Sequence, residues 1–217
     1  MTSFDRQLPR LTTFTKLSTI VIIPSLLSIF YLEKGDVVIA LNQLHNSFFD
    51  TFFRYYTHLA SGWCIAFIAV ICLFIKYRLT LIAGLIGLFQ ALTSVIFKGI
   101  LFPHAPRPMT FFQDSYPLDL VEGVTPLFFR SFPSGHTMTA FGLAAFLSCF
   151  AGRWLLQIIL LGYATLIAIS RMYLALHFLG DVVVGAILGI VITATTILIS
   201  DKIRFLNRFP LEGRLKF

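Results

Sequence analysis

One stretch sets the pattern of this chain: residues 131–150, which read SFPSGHTMTAFGLAAFLSCF. It opens with a polar and helix-breaking cluster and continues as an almost wholly apolar run. Ser134 is a residue type that caps helix N-termini, and a bilayer core takes about 17–25 apolar residues per helix. The stretch therefore predicts a membrane helix at residues 134–150 that begins within a polar cluster.

Five further apolar stretches lie on either side of it, at residues 17–32, 58–75, 79–102, 154–172 and 178–199. The first is the shortest and contains Pro24. Together with residues 134–150, they predict an all-α polytopic membrane protein with six transmembrane helices.

The composition agrees with a membrane protein. Hydrophobic residues make up 57% of the 217 residues and charged residues only 12%, whereas a soluble domain carries about 25% charged residues. We interpret residues 1–217 as a single membrane domain. The net charge of +7 is expected from basic cytoplasmic loops, and no basic run with interleaved aromatics indicates a nucleic-acid partner.

Two connecting segments have features of their own. Residues 36–57 carry apolar residues at helical spacing, which predicts an amphipathic helix in the membrane interface. These apolar residues are Val37, Leu41, Leu44, Phe48 and Phe52. Residues 103–130 form a long loop that the topology below assigns to the non-cytoplasmic side.

The distribution of basic residues predicts the topology. With the N-terminus inside, eleven Lys and Arg residues lie in cytoplasmic segments and six on the opposite side, as the positive-inside rule favours. The cytoplasmic set is Arg6, Arg10, Lys16, Lys76, Arg78, Arg153, Lys202, Arg204, Arg208, Arg214 and Lys216. Both termini are then cytoplasmic, and three polar clusters fall on the other face.

The first cluster comprises Lys98 and Arg107-Pro108, at the end of the third apolar stretch and in the loop after it. Pro103, Pro106 and Pro108 prevent the helix from continuing. A Lys and an Arg that converge here can hold an anion, although both can also extend to lipid headgroups.

The second cluster is Pro133-Ser134-Gly135-His136. Free backbone N–H groups and the helix dipole favour a phosphate at such a helix start, and Gly135 lets the backbone approach a ligand. His136 can exchange a proton near neutral pH. The alternative is an ordinary capped helix with a chance histidine.

The third cluster is Ser170-Arg171, followed by His177 and Asp181. On a helix, His177 and Asp181 would share a face, so that the carboxylate could accept a hydrogen bond from the imidazole and make its other nitrogen a better nucleophile. Arg171 offers a planar fork for phosphate oxygens. The alternative is a structural Arg–Asp pair beside a core histidine.

These clusters resemble the three signature motifs of the type 2 phosphatidic acid phosphatase (PAP2) family, which includes membrane lipid phosphatases, vanadium haloperoxidases and bacterial acid phosphatases. The second and third clusters match the family spacing in full. The first departs from it, because eight residues separate Lys98 from Arg107, two more than in the family pattern. The resemblance spans roughly residues 46–199.

The resemblance implies a phosphate site and a mechanism that needs no metal or other cofactor. Five residues would hold the phosphate oxygens: Lys98, Arg107, Ser134, Gly135 and Arg171. His177 would attack phosphorus to give a phosphohistidine, Asp181 would orient His177, and His136 would protonate the leaving oxygen. Water would then hydrolyse the phosphohistidine.

The expected substrate is a lipid phosphate or diphosphate on the periplasmic face of a bacterial inner membrane. Undecaprenyl diphosphate is the first candidate and a lipid A phosphate the second; a lipid phosphotransferase is a related alternative, and an anion or lipid transporter belongs to a different class. Arg130 could contact a second phosphate or headgroup, or could be a solvated loop residue. The sequence leaves the oligomeric state open.

Overall fold

A computed structural model describes residues 7–202 and 213–215 of the chain. In this part of the chain the regular secondary structure is helical, which confirms the all-α prediction. The α-helices are α1 (Gln7–Ser28), α2 (Asp36–Asn42), α3 (Ser47–Tyr56), α4 (Gly62–Leu73), α5 (Tyr77–Val95), α6 (Pro108–Phe111), α7 (Gly135–Ser148), α8 (Trp154–Tyr173) and α9 (Leu179–Lys202). A 3₁₀ turn, Thr57–Ala60, follows α3, and a π-helical turn, Ile96–Leu101, continues α5.

Helix α1 begins ten residues before the predicted apolar stretch, at Gln7 instead of residue 17. The reason is that Leu11 and Phe14 already point into the core, where their side chains are 5% and 0% exposed. Burial of these two side chains extends the helix into a segment that reads as polar. Pro24 lies inside the helix, as predicted.

The six predicted membrane helices all have helical counterparts, but not all of these are long enough to span. Within residues 7–202, four helices are long and apolar enough to cross a membrane: Leu8–Ser28, Tyr77–Leu101, Trp154–Tyr173 and Leu179–Ser200. A fifth span arises only if Ser47–Ala60 and Gly62–Leu73, which meet at a bend of 51°, are counted as one. The bend falls at Ser61-Gly62, and Gly/Ser pairs are a common site of sharp kinks.

Helix α7 is the central helix, and it has only 14 residues. Eleven of its residues are buried, so it is enclosed by other helices and does not face lipid along its length. The prediction of a spanning helix at residues 134–150 therefore identified the helix correctly but overestimated its length.

Helices α7 and α9 pack closely because glycines lie where they cross. A Cβ atom on Gly189 would lie 2.3 Å from Met138 O, and one on Gly185 would lie 2.6 Å from Ser134 O. Small residues four apart let two membrane helices approach to backbone contact. The crossing fixes the start of α7, and hence Ser134, against the first turns of α9.

The predicted interfacial helix at residues 36–57 is two helices, α2 and α3, so the prediction of one continuous helix is wrong. The chain breaks after Asn42, and Asn46 caps α3 by accepting a hydrogen bond from the Phe49 N–H at 3.0 Å. Asn42 is buried and bonds the backbone of Asp119 in both directions. This side-chain pairing to the long loop requires the turn that ends α2.

Contacts at the chain ends identify one end of the helix bundle. Arg10 donates to Cys149 O at the end of α7, and the Tyr77 N–H donates to Gly213 O. The start of α1, the α4–α5 turn, the α7–α8 turn and residues 213–215 therefore lie at the end opposite Ser134. Four basic residues that the predicted topology assigns to the cytoplasm lie outside the described residues: Arg6, Arg204, Arg208 and Lys216.

Candidate active site

The second cluster begins helix α7. Ser134 is the N-cap residue, and its side chain accepts hydrogen bonds from the Thr137 N–H at 3.4 Å and from the Thr137 hydroxyl at 2.9 Å. The Ser134 N–H donates to Asp181 O at 3.0 Å. The backbone thus joins the second and third clusters directly.

His177 lies in the turn between α8 and α9, and not on a helix with Asp181 as the four-residue spacing suggested. The N–H of His177 donates to Arg171 O at 3.1 Å, and this folds the turn back on α8. Asp181 is in the first turn of α9, and its Oδ2 lies 3.3 Å from His177 Nδ1. The same oxygen accepts from the Phe178 N–H at 3.0 Å. The predicted His–Asp contact therefore forms, by a turn instead of a helix face.

Arg107 closes the other side of His177. Its Nη1 donates to Leu176 O at 2.7 Å and lies 3.3 Å from His177 Nε2. Because Nδ1 faces a carboxylate and Nε2 faces a guanidinium N–H, the partners assign the proton to Nδ1 and leave the lone pair on Nε2. Arg107 also donates from Nε to Phe129 O at 2.8 Å and from Nη2 to Arg130 O at 3.2 Å.

Burial keeps His177 neutral. Its side chain is 2% exposed, and desolvation, assisted by the charges of Arg107 and Arg171, lowers the pKa of His177 to about 3, against the opposing effect of Asp181. A neutral imidazole at physiological pH has the lone pair that a nucleophile requires.

Two more cations face the same region. Arg171 is buried, and its Nη1 donates to Thr57 Oγ1 at 2.7 Å, while its Nε is buried without a hydrogen-bond partner in the described residues. A buried donor without a partner is uncommon in proteins, and a phosphate oxygen would satisfy it. Lys98 lies on the π-helical turn, and a Cβ atom on Gly135 would be 3.9 Å from its Nζ.

The π-helical turn bears on the longer spacing of the first cluster. A π turn holds more residues per turn than an α-helix, and such turns are frequent at functional sites. Here the wide turn carries Lys98, and the chain then runs through the proline-broken segment to Arg107. Both cations reach the site although eight residues separate them.

Two cavities open beside these groups. One, of about 550 Å³, is lined by Lys98, Gly135 and His136 and continues between α4 and α5 along small and apolar residues. The other, of about 250 Å³, is lined by Asp181, Phe178 and Lys34.

His136 lies within electrostatic reach of Lys98, Arg171 and His177. In the described part of the chain, no three His, Cys, Asp or Glu residues group as metal ligands would.

The structure brings together the eight predicted residues, namely Lys98, Arg107, Ser134, Gly135, His136, Arg171, His177 and Asp181, through the contacts above. Arg130 is placed differently. Its side chain is exposed, its backbone has φ of 59°, and its carbonyl accepts a hydrogen bond from Arg107, while the predicted headgroup contact of its side chain stays a prediction. A positive φ in a non-glycine residue is uncommon and is held here by surrounding contacts.

Sequence reasoning missed two contacts at the site. Ser131 is 1% exposed and its hydroxyl donates to Asp181 Oδ2. Thr57 is 5% exposed and binds Arg171. Thr57 carried a weak signal, because Asn46, Asp50, Thr57 and Gly62 resemble a less specific PAP2 pattern before the second membrane helix. Ser131 carried none beyond its position three residues before Ser134.

Comparisons with known proteins relate the chain to a family and to solved structures. The family model described as PAP2 superfamily matches residues 78–205. The chain is 51% identical over 59 residues to a lipid A 4'-phosphatase of Bacteroides thetaiotaomicron, a match that covers 27% of this chain and 26% of that protein.

Two solved structures share the fold. The crystal structure of Aquifex aeolicus LpxE has a TM-score of 0.67 and 27% identity, and the match covers 76% of this chain and 94% of the other. A transmembrane PAP2-type phosphatidylglycerolphosphate phosphatase from Bacillus subtilis has a TM-score of 0.55 and 23% identity, with 91% and 97% covered. The chain therefore belongs to the PAP2 superfamily, as its three clusters predict.

Proposed function

We propose that this chain removes a phosphate group from a membrane lipid through a phosphohistidine on His177. One observation carries the proposal: a buried imidazole holds its Nδ1 on a carboxylate, while its Nε2 faces the guanidinium group of Arg107. This is the arrangement of a nucleophile, an orienting base and an anion site.

In the first step, the lone pair of His177 Nε2 forms a bond to phosphorus as the bond from phosphorus to the lipid oxygen breaks. The lipid oxygen takes a proton from His136, which holds that proton while the negative charge of the bound phosphate offsets the nearby cations. The imidazole becomes cationic, and the carboxylate of Asp181 stabilises it through the Nδ1 proton. Arg107, Arg171 and Lys98 stabilise the charge on the transferred group.

In the second step, water attacks phosphorus and the bond between phosphorus and Nε2 breaks. His136, now neutral, takes a proton from the water, and the products are inorganic phosphate and free His177. The cations supply the charge stabilisation that Mg²⁺ supplies in kinases, so we expect the reaction to proceed without an added metal. If an alcohol replaced the water, the same intermediate would make the chain a phosphotransferase.

Among lipid substrates, a lipid A phosphate now ranks before undecaprenyl diphosphate. The support is the relative named lipid A 4'-phosphatase, although the chain matches only about a quarter of its length. We place the site at the periplasmic face of a bacterial inner membrane, since Arg10, Lys76, Arg78 and Arg153 lie at the opposite end of the bundle, as the positive-inside rule favours.

The test is phosphate release by the protein purified in detergent, with EDTA present, from lipid A, undecaprenyl diphosphate and phosphatidic acid. We expect release from lipid A to be fastest and His177→Ala to abolish it. His104→Ala, a change of the same type at an exposed loop histidine, is the matched control and should keep wild-type activity. Release that EDTA stops, or that survives in His177→Ala, would contradict the mechanism.

A further inference from the structure

Ser131 is a buried hydroxyl at the site that none of the three signature clusters contains. Its side chain donates a hydrogen bond to Asp181 Oδ2, and its Oγ lies 3.5 Å from His177 Nδ1. We propose that Ser131 is a positioning residue that holds the Asp181 carboxylate in the orientation in which it accepts the His177 Nδ1 proton. The inference rests on the proposed function, because it concerns the same reaction.

The hydrogen bonds around Asp181 explain why a further donor matters. Oδ2 faces three donors: the Ser131 hydroxyl, the Phe178 N–H at 3.0 Å and His177 Nδ1 at 3.3 Å. The Phe178 N–H belongs to the turn that carries His177, so it moves with the histidine. Ser131 is the donor that comes from a different segment, and it fixes the carboxylate relative to the start of α7.

The backbone of Ser131 is itself held in place. Its N–H donates to Ala105 O at 3.2 Å, and the preceding carbonyl, of Arg130, accepts from Arg107 Nη2. Both contacts reach the segment that follows the π-helical turn. The hydroxyl is therefore presented to Asp181 by a backbone whose preceding peptide group is held at both its N–H and its carbonyl, as a preorganised contact requires.

The position of the hydroxyl predicts which kinetic parameter changes. The hydrogen bonds of Ser131 go to Ala105, His177 and Asp181, and its side chain makes none to Lys98 or Arg171. Its loss should leave substrate binding nearly unchanged. It should slow the step in which His177 becomes cationic, because the carboxylate that stabilises this charge is then less well held.

The experiment compares Ser131→Ala, Ser131→Cys and Ser131→Thr with wild type on the lipid that the wild type hydrolyses. Removing a hydrogen bond to a charged group predicts a fall in kcat of about 10- to 100-fold for the Ala variant, with KM within about twofold. The Cys variant, similar in size but a weak donor, should resemble Ala. The Thr variant keeps the hydroxyl and should recover activity. Ser148→Ala removes another fully buried serine hydroxyl, which bonds Ala145 O within α7, and should keep wild-type kcat.

A double-mutant cycle with Asp181→Asn tests whether Ser131 acts through Asp181. We expect Ser131→Ala to lower kcat by less than about threefold in that background, because interacting residues lose their effects together. Any of three results would overturn the inference: a wild-type kcat in Ser131→Ala, a change confined to KM, or a fully additive loss in the double variant. The proposed function would still stand in each case if wild type is active and His177→Ala is inactive. An inactive wild type would instead overturn the proposed function.

Discussion

At the scale of the residue, His177 is defined by two contacts on opposite sides of one ring. Asp181 faces Nδ1 and Arg107 faces Nε2, each at 3.3 Å. The carboxylate fixes which nitrogen carries the proton, and burial together with the arginines disfavours a second proton. The ring is therefore held with its lone pair on Nε2, as the proposed attack on phosphorus requires.

This environment predicts how His177 titrates. With its pKa lowered to about 3, His177 in the folded protein should stay neutral well below pH 6.5, the usual value for histidine. In a titration of imidazole ¹⁵N shifts, the resonance that His177→Ala removes should show no transition between pH 7 and pH 5. A midpoint near 6.5 would contradict the proposed environment.

The lowered pKa of His177 also makes the free energy of unfolding depend on pH. Between about pH 6.5 and pH 3 the unfolded chain binds a proton at His177 and the folded chain does not. The contribution of this residue to the free energy of unfolding is therefore fully present above pH 6.5 and decreases as the pH falls towards 3.

At the scale of the element, the glycines of α9 determine how closely the two halves of the site approach. A Cβ atom on Gly189 would meet Met138 O at 2.3 Å, whereas a Cβ atom on Gly162 in α8 would have no neighbour within 4 Å. Both glycines are helical, so the intrinsic preference for alanine is the same at the two positions.

Paired substitutions test this crossing. Gly189→Ala should lower the free energy of unfolding by about 1–3 kcal/mol, because the methyl group forces two backbones apart. Gly162→Ala should leave stability unchanged or raise it by about 0.5–1 kcal/mol, because alanine favours the helix. Denaturant unfolding in detergent measures both. Equal effects would mean that the α7–α9 contact is not as close as described.

The helices that the sequence predicted correctly are those that a local run of apolar residues determines. The helices of residues 79–102, 154–172 and 178–199 were found because each is apolar and long enough to span. The break between α2 and α3 was missed because it depends on the bonds of Asn42 to Asp119, which lies 77 residues away. The early start of α1 was missed because the burial of Phe14 is a tertiary effect.

The same distinction holds at the site. PAP2 membership, which the three clusters predicted, is confirmed. The structure brings the predicted residues together, while their roles stay predictions. Ser131 could not be identified because a serine in a loop has no periodic pattern, and only folding places its hydroxyl on Asp181. The contact that Arg130 makes in the structure could not be predicted, because it involves the backbone carbonyl and not the charged side chain.

At the scale of the whole molecule, the bundle has two chemically different ends. Arg10, Lys76, Arg78 and Arg153 lie at one end, and the candidate site lies at the other. The start of α1 and the turns after α4 and α7 share the basic end. If the site is periplasmic, residues near these turns must face the cytoplasm.

Cysteine labelling tests this orientation. After Cys64, Cys72 and Cys149 are replaced by alanine, cysteines at positions 104 and 153 replace two exposed residues at opposite ends of the bundle. A membrane-impermeant maleimide should label His104→Cys in intact spheroplasts, and Arg153→Cys only after permeabilisation. The cysteine-free protein gives the background, and the reverse pattern would overturn the proposed orientation.

The short central helix also determines how deep the site lies. Fourteen residues in α7 rise about 21 Å, whereas a hydrocarbon core is about 30 Å thick. If the far end of α7, where Arg10 binds Cys149 O, lies at one boundary of the hydrocarbon core, its first residues stop roughly 9 Å short of the other boundary. Charges that are buried in this way are screened by salt much less than exposed charges. Dissolved salt therefore screens the arginines and the lysine only weakly, and their attraction for a phosphate is governed by the protein instead of the surrounding medium.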